Sequence, residues 1–212
     1  MNSFRRELLD QCLEKYKPLM TGRVLDVGGK KVGRRGSFVP PLENVESWEY
    51  LNSDEATKPD YCCSAEKIPL ENESVNTIIM TEMLEYLPEP KKVFSEIYRI
   101  LSGKGHALVS VPFLNPVHGD HWADRARYTP VMLKEIILPL GLKIKLIEPM
   151  GALGAVLFDT VRVSVGLEQR SNKTRSFRNL LKLFRVLGIW LDNKTSEQKT
   201  FITTGYFIIL NK

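Results

Sequence analysis

Short apolar segments of the kind that form buried strands alternate with helical patterns along most of this 212-residue chain. The clearest is VNTIIMT (75–81), whose continuous apolar run is typical of a strand in the middle of a parallel sheet. The predicted strands are 23–27, 47–52, 60–65, 75–81, 106–113, 142–149 and 201–210. The predicted helices are 3–19, 90–101, 129–140 and 176–193. This alternation predicts a single α/β domain with a Rossmann-like, doubly wound and mostly parallel sheet.

The connection between the first two strands breaks the alternation. Its sequence, GKKVGRRGSFVPPLENVESW (29–48), has three glycines and two prolines but little helical periodicity. We therefore expect a long loop or one short turn here, rather than a crossover helix.

Charge and cysteine content narrow the class of protein. Lys and Arg outnumber Asp and Glu by 30 to 25, a mild excess, and no nucleic-acid-binding module is recognisable, so no nucleic acid partner is expected. No apolar run is long enough to span a membrane, and the charged N-terminal segment lacks a signal-peptide core. The three cysteines, with Cys62 and Cys63 adjacent, make no disulfide framework, so we expect a cytoplasmic location.

Small and polar residues follow four of the predicted strands at their carboxyl ends, where doubly wound sheets bind their ligands. Glycine lets a ligand approach the backbone closely, although Gly28 and Gly29 alone also fit a simple tight turn. Asn52, which ends the second strand, can bond a hydroxyl group but lacks the charge of a carboxylate. The candidate ligand-binding residues are Asp26, Gly28, Gly29, Asn52, Asp54, Ser64, Ala65, Glu66, Thr81 and Glu82.

The run SAEKIPLENESVNTIIMTEMLEYLPEPKKVFSEIYRILSGKGHALVSVPF (64–113), with VLDVGG (24–29) before it, resembles class I S-adenosylmethionine-dependent methyltransferases of the small-molecule, type 11-like group. The resemblance implies a seven-stranded sheet with the last strand antiparallel, and S-adenosylmethionine as the cofactor. It also implies a division into an N-terminal helix (1–20), a cofactor-binding core (21–150), a helical insertion or lid (151–200) and the last strand (201–212).

The same resemblance implies which part of the cofactor each strand end would meet. Asp26, Gly28 and Gly29 would face the amino acid part, Asn52 and Asp54 the ribose, and Ser64, Ala65 and Glu66 the adenine, with Thr81 and Glu82 closing the pocket.

Several positions differ from the family pattern. Lys30 and Val32 stand where the loop usually repeats glycine, Asn52 and Ser64 replace acidic residues, and Tyr86 replaces a histidine. These differences leave open an alternative, in which a catalytically weak or inactive protein of this fold serves as a binding or scaffolding subunit. A nicotinamide-dependent dehydrogenase is disfavoured, because the chain has no G-x-G-x-x-G loop.

The segment PFLNPVHGDHWADRARYTP (112–130) resembles a His-Gly loop found in a subset of these methyltransferases. An oxygen acceptor that is protonated at neutral pH needs a base, and a histidine pKa near 6.5 suits that task. We therefore expect His118 or His121 to be the base, oriented by Asp120 or Asp124, in methyl transfer to a small-molecule or glycan-type acceptor at oxygen. The histidines could instead be structural, and the loop lacks the ligand spacing of a metal site, so no metal is expected.

The region 151–200 is not explained by the resemblance. Residues 176–191 combine an apolar face with basic residues, a pattern that fits contact with an anionic membrane surface, a cover over the acceptor pocket, or packing of the apolar face on the domain. The apolar segment 151–166 fits a lid helix or a homodimer contact. The sequence leaves these alternatives open.

Overall fold

The computed structural model describes residues 2–32, 36–117, 123–164, 175–198 and 201–212, with the backbone alone for 175–182 and 198. Its centre is a seven-stranded sheet in the order β3-β2-β1-β4-β5-β7-β6. The strands are β1 (Arg23–Val27), β2 (Ser47–Asn52), β3 (Tyr61–Cys62), β4 (Val75–Thr81), β5 (Leu101–Pro112), β6 (Lys143–Met150) and β7 (Gly205–Asn211). β7 runs antiparallel to both of its neighbours, and the other six strands are parallel to one another. The predicted fold class is confirmed.

Strand burial follows the sequence patterns, but the bounds of three strands differ clearly from the prediction. In β4 the apolar residues are buried, as expected for a strand flanked by β1 and β5. β3 covers only two residues of the predicted 60–65. β5 begins at Leu101 rather than at residue 106, because Leu101 already pairs with Val75 before a bulge shifts the register. β7 begins at Gly205 rather than at residue 201.

The helices are α1 (Phe4–Lys15), α2 (Pro90–Ile100), α3 (Pro130–Ile137), α4 (Leu153–Ser164) and α5 (Arg175–Lys194). Shorter 3₁₀ turns are Lys17–Leu19, Leu42–Asn44, Glu55–Thr57, Leu84–Tyr86, Leu138–Leu140 and Ser196–Gln198. α3 starts as predicted, since the Thr129 hydroxyl accepts from the Met132 N–H and proline occupies the first helical position. Between β1 and β2 the only helical element among the described residues is the 3₁₀ turn Leu42–Asn44, which agrees with the expected long loop or short turn.

Helices cover both faces of the sheet. α2 and α3 bury apolar side chains such as Phe94 and Ile137 on one face, and α1 buries Leu9 and Leu13 on the other. α4 lies outside α1, where the Phe158 ring meets the Phe4 ring edge-on at 4.6 Å between centroids. The Asp159 carboxylate, also on α4, accepts hydrogen bonds from the first two backbone N–H groups of α1. α1 is therefore held between the sheet and α4.

α4 and α5 cross at two glycines. A Cβ atom at Gly154 would overlap the carbonyl oxygen of Gly188 and lie 2.6 Å from the backbone nitrogen of Asp192. The Asp192 carboxylate accepts from the N–H groups of Ala152 and Ala155, at 2.6 and 2.9 Å, and so caps the start of α4. The close approach of the two backbones is what brings this cap within reach.

We expect Gly154→Ala to destabilise the fold by about 1–3 kcal/mol, because its Cβ can be accommodated only if two backbones separate. Gly188→Ala is the matched control. Its Cβ would lie 3.0 Å from a ring carbon of Phe4, and the gain in helix propensity of about 1 kcal/mol offsets that contact. Urea unfolding of the two variants measures the difference, and equal losses of stability would contradict the crossing geometry.

Candidate active site

The turn after β1 brings a glycine in the left-handed region next to a carboxylate. Gly28 has φ +80°, and its N–H donates to the Leu51 carbonyl at 2.7 Å. A Cβ atom at Gly28 would lie 2.6 Å from Sδ of Met83, and one at Gly29 would lie 2.5 Å from both carboxylate oxygens of Asp26. Gly28 is favoured by its left-handed backbone, whereas a side chain at Gly29 would have to displace the Asp26 carboxylate. The turn after β1 packs directly on the segment that follows β4.

Asn52 braces this turn. Its side-chain amide donates to the carbonyl oxygens of Gly28 and Gly29, at 3.1 and 3.0 Å. Its Oδ1 accepts from the N–H of Asp54 at 3.0 Å, and one carboxylate oxygen of Asp54 accepts from the Ala56 N–H. An amide can make these bonds because it both donates and accepts, which a carboxylate at this position could not do.

An ion pair holds Lys31, which lies between the two residues that replace glycine in the loop after β1. Lys31 donates to the carboxylate of Asp60, whose other oxygen accepts from the Tyr50 N–H at 2.9 Å. Burial raises the pKa of Asp60, but the bonds from Lys31 and from the Tyr50 N–H outweigh it, so the net pKa is lowered. The Lys31–Asp60 pair ties the loop after β1 to the start of β3, while Lys30 is exposed.

The segment after β3 contains a buried oxygen that lacks a partner. Ala65 is buried, and Ser64 accepts from the Glu66 N–H at 3.2 Å. The Oε1 atom of Glu66 is buried and finds no hydrogen-bond partner within the described ranges. Buried polar atoms are nearly always paired, so this oxygen marks a place where a bound hydrogen-bond donor would fit.

Arg99 and Glu96 of α2 fix the chain just beyond this oxygen. Glu96 accepts from the Ile68 N–H at 2.7 Å, and Arg99 donates to the carbonyls of Ile68 and Leu70. The pKa of Glu96 is lowered, chiefly by its hydrogen bonds from Arg99. Arg99, which lies in the run that resembles the methyltransferase family, thus has a structural role.

Glu82, directly after β4, is the most heavily bonded of the predicted site residues. It has φ +51°, an uncommon conformation for a residue other than glycine. Its Oε2 accepts from Nε of Arg5 at 3.0 Å, and Oε1 accepts from the Ser110 hydroxyl at 2.8 Å and from the second arm of Arg5. Thr81 pairs with Ser110 in the sheet, so three elements, α1, β4 and β5, meet at this carboxylate.

The described parts of the loop after β5 are anchored to the turn after β4. The Arg125 N–H donates to the Glu85 carbonyl at 2.9 Å, and the Tyr128 hydroxyl donates to the Leu84 carbonyl at 3.2 Å. Burial, and secondly the charge of Glu85, raise the pKa of Tyr128. The end of this loop therefore lies beside the turn that follows β4.

Arg127 and Asp124 tie the loop together internally. The Asp124 carboxylate is fully buried and accepts from both arms of Arg127, one of them at 2.8 Å. The same guanidinium also reaches the Asn115 carbonyl at 3.4 Å. The predicted catalytic residues His118, Asp120 and His121 lie outside the described residues.

The structure brings together most of the predicted cofactor residues. Direct contacts link four of them: Asp26, Gly28, Gly29 and Asn52. Met83, next to Glu82 in the sequence, contacts this group at Gly28. Ser64 follows β3, which pairs with β2. Sequence reasoning missed Arg5, Ser110 and Met83. Arg5 has no local signal, because its partner lies 77 positions away.

No cluster of three or more metal-ligating side chains occurs in the ranges that the structure describes. None of the helices among those residues is both long and apolar enough to cross a membrane. Two cavities of about 370 and 420 Å³ flank β6, and none of the predicted site residues lines them.

Comparisons with known proteins bear on the type of domain and on its fold. Residues 42–109 match the model of a family described as a methyltransferase domain. No curated protein sequence matches the chain significantly.

Solved structures match at the level of the fold. An S-adenosylmethionine-dependent methyltransferase from Archaeoglobus fulgidus is 19% identical, with 99% of this chain and 96% of that chain covered and a TM-score of 0.58. The [4+2]-cyclase SpnF is 16% identical, with 100% and 85% covered and a TM-score of 0.64. Phosphoethanolamine N-methyltransferase 2 of Haemonchus contortus, solved with S-adenosyl-L-methionine, is 16% identical, with 96% and 52% covered and a TM-score of 0.60.

Proposed function

Because this chain carries a methyltransferase domain with the class I S-adenosylmethionine-dependent fold, we propose that its strand-end residues hold S-adenosylmethionine and that it methylates a small-molecule or glycan-type acceptor at oxygen. One observation carries the cofactor proposal. The Gly28–Gly29 turn presents backbone without side chains beside the Asp26 carboxylate, and Met83 closes it from the β4 side. Bound S-adenosylmethionine supplies an activated methyl group on a sulfonium cation.

The proposed roles follow the bonds that each residue already makes. Asp26, Gly28 and Gly29 bind the amino acid part, with the Asp26 carboxylate accepting from its ammonium group. The amide of Asn52 donates to the carbonyls of Gly28 and Gly29, so we assign Asn52 to shaping the turn. The exposed carboxylate of Asp54 is assigned to accept hydrogen bonds from the ribose hydroxyls.

The adenine and methyl-donor ends are assigned to the next two strand ends. Ser64 and Ala65 border the adenine, and the partnerless Oε1 of Glu66 accepts from a donor on the ligand. Thr81 and Glu82 close the pocket, with Glu82 held in place by Arg5 and Ser110.

Methyl transfer to a hydroxyl group requires positioning and a base. We propose that His118 or His121 takes the acceptor's hydroxyl proton as the oxygen gains the methyl group. Asp120 is assigned to orient the imidazole, because both oxygens of the alternative, Asp124, accept from Arg127. The anchoring of the loop beside β4 supports this placement. Three free cysteines suit the proposed action in a reducing, cytoplasmic environment.

The test of cofactor binding is calorimetric titration with S-adenosylmethionine and S-adenosylhomocysteine. We expect wild-type protein to bind both, and Gly28→Ala to weaken binding about tenfold or more, because a Cβ there moves Met83 or the turn and adds left-handed strain. Gly141→Ala is the matched control. Gly141 also has a left-handed backbone, with φ +89°, but it lies after α3 rather than in the turn after β1. The affinity of this variant for S-adenosylmethionine should equal that of wild type.

Absence of binding by wild-type protein at millimolar ligand would reject the enzyme proposal. It would favour the alternative of a binding or scaffolding protein with this fold. Equal weakening by Gly28→Ala and Gly141→Ala would reject the placement of the ligand at the first turn.

A further inference from the structure

The C-terminal half of α5 turns its polar side toward the protein. The Arg185 guanidinium lies over the Phe4 ring at 4.7 Å from its centroid and pairs with the Glu7 carboxylate. Gly188 is buried against Gly154, and Asp192 caps α4. Since Arg185, Gly188 and Asp192 follow at intervals of three and four, they form the inner face of the helix.

Apolar side chains occupy the opposite face. Leu183, Val186, Leu187 and Trp190, here called the outer stripe, are spaced at i, i+3, i+4 and i+7 and are 58%, 63%, 52% and 58% exposed. Phe184 beside them is 42% exposed. Globular proteins normally turn such a stripe toward the core, and a contiguous exposed one marks an interaction surface. The alternative in which the apolar face packs on the domain is therefore wrong for the described half of the helix.

The charge of α5 indicates what the outer stripe contacts. The helix sequence contains five basic residues, Arg175, Arg178, Lys182, Arg185 and Lys194. Its one acidic residue, Asp192, is used in capping α4. Interfacial helices that lie on anionic bilayers combine Trp, Phe and Leu on one face with Lys and Arg elsewhere, as this helix does.

A second copy of the chain fits this surface less well. A symmetric dimer through the outer stripe would bring two copies of the same helix together. Arg185 is paired with Glu7 on the inner face, but each helix sequence has four further basic residues and no acidic residue except the capping Asp192, so two such helices would repel each other. An anionic lipid surface instead complements that charge.

We propose that α5 docks this protein on anionic membrane surfaces, lying in the interface with the outer stripe inserted at the boundary between headgroups and acyl chains. The helix does not span the bilayer, since no helix among the described residues is both long and apolar enough, and α5 contains six charged residues. This docking is independent of the proposed methylation.

The test is co-sedimentation with vesicles of phosphatidylcholine alone or with 30% phosphatidylglycerol (roughly the anionic fraction that attracts basic helices). Wild-type protein should bind the anionic vesicles at least ~10-fold more tightly, and added salt should weaken binding. Val186→Glu should lower the affinity about tenfold or more. Val131→Glu is the matched control, because Val131 is the same residue type, is 64% exposed and lies on α3.

The fluorescence of Trp190 provides a second test, which detects contact with lipid directly rather than through a variant that fails to bind. Its emission should shift to the blue with anionic vesicles and be quenched by brominated lipids, and Trp190→Phe should remove that change. No binding by wild type, equal weakening by Val131→Glu, or a stable dimer that Val186→Glu dissociates would each overturn the proposal. The last result would assign the outer stripe to a second copy.

Discussion

Replacing the proposed base by alanine is expected to lower the rate of methyl transfer about 10²–10⁴-fold, the usual contribution of general base catalysis. His118→Ala and His121→Ala are made separately, and one of them should show this loss while S-adenosylmethionine affinity stays nearly unchanged. The assay follows tritium from methyl-labelled S-adenosylmethionine into the small-molecule and glycan fractions of a cell extract. The wild-type rate should fall as the pH drops below about 6.5, where imidazole becomes protonated.

His106 is the matched control for both variants. It is the third histidine of the chain, on β5, and its Nδ1 lies 3.1 Å from Oδ1 of Asn211. His106→Ala should leave the methylation rate and its pH profile unchanged. Equal rates for all three variants, or an acid limb that persists in both loop variants, would reject a histidine base.

Removing the Arg5 guanidinium is expected to cause the largest loss of stability. Arg5 is 4% exposed and donates two hydrogen bonds to Glu82, so Arg5→Met leaves a mostly buried carboxylate with one fewer partner. Breaking a buried pair in this way costs about 3–5 kcal/mol, and we expect about 3 kcal/mol because the Glu82 side chain keeps 18% exposure. Urea unfolding measures the loss.

Two further variants separate the ion pair from other effects. Adding Glu82→Gln to Arg5→Met should recover part of the stability, because the buried side chain that lacks Arg5 is then neutral. Lys15→Met removes an exposed ion pair from the same helix, with Glu148, and should cost under about 1 kcal/mol. A loss as small for Arg5→Met as for Lys15→Met would show that the Arg5–Glu82 pair contributes little.

The elements of the fold were largely predictable because their signals are local. A continuous apolar run predicted β4, and a threonine followed by proline predicted the start of α3. The boundary of β5 was not predictable, because its first residues are ordered by pairing across a bulge with Val75. Pairing between distant residues leaves no periodic pattern in a single sequence.

The site was predictable in position but not in its internal bonds. The sequence shows that Asn52 departs from the family pattern, but not what its side chain does. Its amide donates to the carbonyls of Gly28 and Gly29, and these bonds depend on how β1 and β2 are placed relative to each other. The Arg5–Glu82 pair joins residues 77 positions apart. Amphipathicity likewise predicted α5, whereas the direction of its apolar face depends on the Gly154–Gly188 crossing.

The position of β7 has a consequence for synthesis on the ribosome. β5 and β6 do not pair with each other, because β7 lies between them and bonds to both. Until Gly205–Asn211 emerges from the exit tunnel, β5 therefore exposes one bare edge and β6 two, while the apolar α4 and α5 have already been made. Until β7 has been made, the nascent chain carries an incomplete sheet, which makes chaperone contact during that interval an expected part of its biogenesis.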